Sequence, residues 1–172
     1  MQKIPTMFVR DEARPNLVTP TPHPECGWVF AGEGVATRKI DGTNVKVVAG
    51  ELFKRRKPLA GAPYDEAAYV PASRQDPGDR WLFESNASRT AWPDGVYEAI
   101  GPKIQGNPEK TARHVLVAVD PFDPELVLEG VPRDFEGLRE YLRGRDIEGV
   151  VFHHENGRKA KVKTKDFGFK RV

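Results

Sequence analysis

The segment Ile147 to Thr164 reads IEGVVFHHENGRKAKVKT: an apolar run, then Asn156-Gly157, then a run that alternates charged and apolar residues. Asn-Gly favours the tight turns whose twist suits two antiparallel strands, so this is the strongest short hairpin signal in the chain. The period of two in KAKVK places Lys161 and Lys163 on one face and Val162 on the other. The rest of the chain carries weaker signals of the same kind. Gly34 to Lys39 and Val45 to Ala49 read as strands, and AGELF supplies a Gly turn into a third strand ending at Lys54, an expected antiparallel meander. Gly95–Gly101 and His114–Asp120 read as core strands around the loop GPKIQGNP. Asp134 is a good N-cap for FEGLREYLRGR, where Leu138, Tyr141 and Leu142 share one helix face. The expected class is α+β, dominated by antiparallel sheet.

Two stretches resist that pattern. Prolines at 5, 15, 20, 22 and 24 predict that residues 1–30 form an extended, irregular arm rather than a helix. From Pro58 to about Arg80, frequent Gly and Pro predict a long loop with at most a helical turn over Asp65 to Tyr69. A length of 172 residues suits a single domain, 1–172, with one core and room for a small satellite cluster. With 38% hydrophobic and 30% charged residues the chain is too rich in aliphatics to stay disordered.

The net charge of +2 hides an uneven distribution. Lys54, Arg55, Arg56 and Lys57 form one basic cluster, and Arg158, Lys159, Lys161, Lys163, Lys165, Lys170 and Arg171 a second. Such clusters suit an anionic ligand, a nucleotide or nucleic acid, and equally a solvated lysine-rich face. Cys26 is the only cysteine, which excludes a disulfide framework and a cysteine metal site and fits a reducing compartment. No apolar run approaches a membrane span and the N-terminus lacks a signal-peptide core, so the expected location is the cytoplasm.

Common site types are absent. There is no GxxxxGK[ST] and no GxGxxG entering a helix. His23, His114, His153 and His154 lack metal-ligand spacing, and adjacent His153 and His154 in a strand should face opposite ways, one to core or edge and one to solvent.

What remains is a set of short elements in fixed order. Lys39-Ile40-Asp41-Gly42 resembles the KxDG element of the covalent nucleotidyltransferase superfamily of ATP-dependent ligases and capping enzymes. LFKRRKP then offers the downstream arginine, VYEAIG the glutamate of the third element, IEGVV the fourth and KAKVK the fifth. KIDGTN and GPKIQGNP look most like RNA ligases that repair or join RNA ends, and the resemblance spans about Gly34 to Asp166. It implies an antiparallel-sheet-rich nucleotidyltransferase (adenylyltransferase, ATP-grasp-like ligase) domain whose ATP pocket forms between sheets. The chain stops soon after Lys165, so no appended C-terminal OB domain is expected.

The resemblance assigns roles that chemistry makes specific. Lys39 is the expected nucleophile; it must attack the α-phosphate as an uncharged amine, which nearby cations such as Lys161, Lys163 and a metal ion would favour. Lys161 and Lys163 are expected to clamp the α-phosphate and share the catalytic work. The nucleotide contacts implied are Arg38, Lys39, Asn44, Arg55, Glu98, Glu148, Lys161 and Lys163. Arg55 is preferred to Arg56 because alternation from a hairpin partner of Lys39 lets only one of two neighbours face the pocket. Glu98, in an apolar strand, would suit a sugar hydroxyl or a buried arginine partner. Glu148 is expected to position Mg²⁺ or Mn²⁺, commonly through water. Gly42 would turn the chain and bring it close to the nucleotide; Asp41 would orient Lys39 or a neighbouring backbone group. The residue stacking on adenine is open, because HVLVAVD offers Val117 and Val119, flanked by His114 and Phe122.

The implied function is an ATP-dependent RNA ligase. It would self-adenylylate on Lys39, transfer AMP to an RNA 5′-phosphate and seal that end to a 3′-hydroxyl. The partner would be RNA bearing those ends, with no membrane partner and the oligomeric state open. Alternatives are a DNA nick ligase, a GTP-dependent capping guanylyltransferase and a noncatalytic RNA-binding module.

Overall fold

Alternation in β10 (Lys159–Lys163) appears in three dimensions as in the sequence: Ala160 and Val162 are fully buried and the three lysines partly exposed. The computed structural model describes residues 3–56 and 68–172. Their class is α+β, with antiparallel sheets and few helices. Contacts within the chain define two compact units, one built on Ile40–Val119 and the other on Ile4–Lys39 with Asp120–Val172. Correspondingly there are two substantial apolar clusters rather than one core with a small satellite.

In the second of these units, β9 (Gly149–His153) is the centre of a three-stranded sheet, between β10 and β3 (Val35–Arg38). The Asn156-Gly157 hairpin therefore forms as expected, with Lys159 opposite His153 and Lys163 opposite Gly149. Both outer edges are covered: Pro5 and Met7 bond the backbone of Lys161, while Leu126 and Leu128 bond Arg38 and Ala36. One face of the sheet supplies Ala36, Val150, Phe152, Ala160 and Val162 to the core, together with Phe8, Trp28 and Val29. Helix α3 (Phe135–Leu142) adds Leu138 and Leu142, and Asp134 caps it by accepting from Gly137 N.

The proline-rich start is more ordered than an irregular arm. β1 (Phe8–Arg10) and β2 (Val18–Pro22) pair antiparallel, and a 3-10 turn runs into the short helix α1 (Gly27–Phe30). Pro24 is compatible because it stands in the first turn, where its missing N–H costs nothing.

The Ile40–Val119 unit holds a five-stranded antiparallel sheet: β6 (Tyr69–Pro71), β5 (Glu51–Arg55), β4 (Thr43–Val48), β7 (Gly95–Ile100) and β8 (Val115–Ala118), in that spatial order. The meander expected to start at Gly34 is corrected here, since β3 pairs with β9 and the meander runs β4, β5, β6. The long-loop expectation also fails after Ala68: β6 and helix α2 (Arg80–Asn86) lie there, while the turn expected from Asp65 falls largely outside the described residues. Val45, Val47, Leu52, Tyr97, Ala99 and Leu116 make the core face, covered by Leu82 of α2. No helix among the described residues is long and apolar enough to cross a membrane.

Gly42 is needed for a reason other than a sharp turn. A Cβ there would lie 2.4 Å from the carbonyl oxygen of Ala99 and 2.8 Å from Ile100 Cγ2. Close backbone approach to β7 demands the glycine.

Candidate active site

Cross-strand neighbours in an antiparallel sheet share a face, so the register assigns every side chain of the three-stranded sheet. Val35, Thr37, Val151, His153, Lys159, Lys161 and Lys163 lie opposite the apolar core. The ladder continues past β3, because Lys39 N donates to Gly149 O at 2.9 Å.

Glu148 stands just before β9 and joins the distant Lys39 to the neighbouring strand of its own hairpin. Its Oε2 accepts from Lys39 Nζ at 2.6 Å and its Oε1 from Lys163 Nζ at 2.5 Å. The glutamate side chain is only 14% exposed, so desolvation works against its charge. The ammonium groups of Lys39 and Lys163 outweigh that penalty and hold the carboxyl below its ordinary range. The direct neighbour of Lys39 is thus a carboxylate, where the sequence had suggested cations. Lys161 brings a third ammonium to the same face, two residues from Lys163.

Gly149 permits this crowding. A Cβ on it would lie 2.2 Å from Val162 O and 2.7 Å from Lys163 Cα. Beyond it, Thr37 Oγ1 and His153 Nε2 are 2.8 Å apart. Burial, reinforced by the Lys159 charge against the opposing pull of Asp120, pushes the His153 pKa down to about 4. His154 is also covered rather than solvated, with its Nε2 2.6 Å from Glu33 Oε2. Arg38 follows the alternation onto the other side from Thr37, with its backbone N–H bonded to Leu126 O.

In the other unit the register gathers Asn44, Lys46, Arg55, Tyr69, Glu98 and Val117 on one face of the five-stranded sheet. Asn44 Nδ2 donates to Glu98 at 2.9 Å and its Oδ1 accepts from the Tyr69 hydroxyl. Glu98 therefore has an amide partner. Arg55 lies in β5 opposite Tyr69, whereas Arg56 follows the strand and bonds Ala68 O through its backbone. The hairpin premise behind that choice does not hold, since Lys39 continues the ladder of β3 against β9 through Gly149 O.

Sequence reasoning missed Tyr69, which fixes the Asn44 amide, and Glu109, which accepts from Asp41 N at 3.0 Å. Tyr69 lay inside a Gly/Pro-rich stretch with no periodicity to lift it out. Several basic residues of the expected anion clusters are engaged: Lys54 with Asp76 and Asp79, and Arg171 with Asp146. Lys57 lies outside the described residues.

Among the described residues no three His, Cys, Asp or Glu side chains gather as a metal cage. A lone carboxylate fits only an ion that keeps most of its waters and takes phosphate oxygens, which is the habit of Mg²⁺. No family model matches the chain, and no curated protein matches it at a significant level.

Proposed function

We propose that the protein is an ATP-dependent RNA ligase of the covalent nucleotidyltransferase superfamily, acting through a nucleotidyltransferase domain. One observation carries the reading: the KxDG lysine meets, within hydrogen-bond distance, a glutamate 109 residues away that its own hairpin already holds against a KAKVK lysine. A solvated lysine face would not require that convergence.

Lys39 leaves Glu148, gives its proton to solvent and attacks the α-phosphorus of ATP. A P–N bond forms, the nitrogen releases a second proton to solvent, the bond to the β-phosphate bridging oxygen breaks, and pyrophosphate departs. Lys161 and Lys163 stabilise charge on the phosphoryl oxygens as the displacement proceeds. Glu148 is the residue to hold Mg²⁺ or Mn²⁺ through water; the ion when bound would neutralise phosphate charge. An oxygen of an RNA 5′-phosphate then attacks the AMP phosphorus, the P–N bond breaks and Lys39 takes its protons back; finally a 3′-hydroxyl loses its proton, attacks the 5′-phosphate phosphorus and expels AMP. RNA binding through the remaining basic residues should weaken as salt rises.

The test is covalent labelling. Protein incubated with Mg²⁺ and α-labelled ATP or GTP, then denatured, should carry label from ATP and lose it in Lys39→Ala. No label from either nucleotide overturns the enzyme reading, and GTP preference would point to a capping enzyme. Sealing of DNA ends but not RNA ends would point to a nick ligase.

A further inference from the structure

At the end of the three-stranded sheet away from Lys39 lies a pocket of about 620 Å³, whose lining includes Val35, Phe122, His153, Arg158 and Lys159. Val35, His153 and Lys159 are cross-strand neighbours, so they continue the face that bears Lys161 and Lys163. Strand geometry spaces Lys159, Lys161 and Lys163 about 7 Å apart along it.

Four features of this pocket suit one kind of occupant. Phe122 is 87% exposed, yet it does not dangle. Asp120 Oδ1 accepts from Phe122 N at 2.8 Å, and Asp120 O accepts from Asp123 N at 3.2 Å. The turn therefore presents a bare aromatic ring from a fixed backbone. Among the described residues the Lys159 ammonium makes no hydrogen bond or ion pair, and burial depresses its pKa. A half-buried cation without a carboxylate is a site for an anion. Arg158 adds a second cation, fixed through Asn156 Oδ1 and lying 5.6 Å from the Trp28 ring. Two acidic residues also line the pocket, but Glu33 is engaged by His154, and Glu155 is exposed at its rim. His153 stays neutral across the physiological range.

We propose that this pocket takes an unpaired nucleotide of a single-stranded RNA segment, its base stacked on Phe122 and its phosphate held by Arg158 and Lys159. Flat aromatic rings beside cations are how single strands are gripped without reading sequence. This assignment rests on the RNA-ligase reading, and it gives the lysine row of β10 a direction: the bound strand runs from Phe122 toward the Lys39 end.

Binding of a labelled single-stranded RNA with a 5′-phosphate, measured by fluorescence anisotropy, tests it. Phe122→Ala should weaken binding roughly 5- to 150-fold, the range of one lost base stack, and Phe122→Trp should restore it. Lys39 labelling by ATP, and the KM for ATP, should be unchanged in Phe122→Ala. Wild-type RNA affinity in that variant, while Lys39 still labels, overturns the pocket assignment and leaves the ligase reading intact; this is also the outcome if the ring docks a protein. A raised KM for ATP overturns it by giving the pocket to the adenine of ATP. Absence of Lys39 labelling in the unmodified protein is a separate result and removes the ligase reading itself.

Discussion

Two three-charge clusters in this protein are near mirror images. One is Glu148 between Lys39 and Lys163; the other is Lys54 between Asp76 and Asp79, with both carboxylates 2.7 Å from its Nζ. In the second, the carboxylates also accept from backbone: Asp79 from Ser73 N and Asp76 from Gly78 N. That cluster ties the 73–79 segment to β5, and the hydrogen bonds raise the Lys54 pKa. Around Glu148 the balance is reversed, with two ammonium groups on one carboxylate and a third on the same sheet face. The contrast shows that counting lysines in a sequence does not locate anion sites. Lys54 belongs to the most basic tetrad in the chain, and it is spent on its own fold.

Substitutions should separate the two clusters. Glu148→Gln should lower ATP-dependent labelling of Lys39 by a hundredfold or more, since the carboxylate that gathers the two lysines is gone. Asp79→Asn should leave labelling per folded molecule as in wild type. A fall there would mean that both clusters serve chemistry.

Stability should respond in the opposite sense. Asp79 has a side chain only 3% exposed, and Asp79→Ala strips partners from Lys54 and Ser73 N. The expected loss is about 3 kcal/mol, read from the urea midpoint. Acid offers a smaller effect. His153 titrates near pH 4 when folded and near 6.5 when unfolded, so the unfolded chain binds the extra proton first. Stability should fall as pH drops from about 6.5 to 4, by about 2–3 kcal/mol, and His153→Gln should flatten that window. Glu148, where desolvation is outweighed by the Lys39 and Lys163 charges and the pKa is lowered, keeps its contribution until the pH falls below the ordinary glutamate range. The smallest change expected is Asp76→Asn. Its carboxylate is solvent-facing, and the variant should be indistinguishable from wild type in the same urea titration.

What the sequence made legible was local. Asp134 before FEGLREYL, Asn156-Gly157 between strands and the period of two in KAKVK each specify structure through neighbours a few residues away. The partner of β3 was not legible, because nothing in GVATRK says that it pairs across more than a hundred residues with GVVFH rather than with the next strand. Helix α2 went unseen for a related reason: RWLFESN is barely two turns and depends on packing Leu82 against the sheet. At the site, the motif order picked out Lys39, Glu148 and Lys163, but no spacing could say that they touch. Tyr69 and Glu109 had no motif to mark them.

The pairing of β3 with β9 also sets a schedule. During synthesis Val35–Arg38 emerges early, and its partners Gly149–His153 follow only after the whole of Ile40–Val119 has been made. At about 5–20 residues per second that wait lasts several seconds or more. The Ile40–Val119 unit can close its local meander in that interval, while the lysine strand stays an unpaired edge. A nascent or truncated chain ending before Glu148 would therefore carry Lys39 without Glu148 or Lys163, and the three-charge cluster would be assembled last.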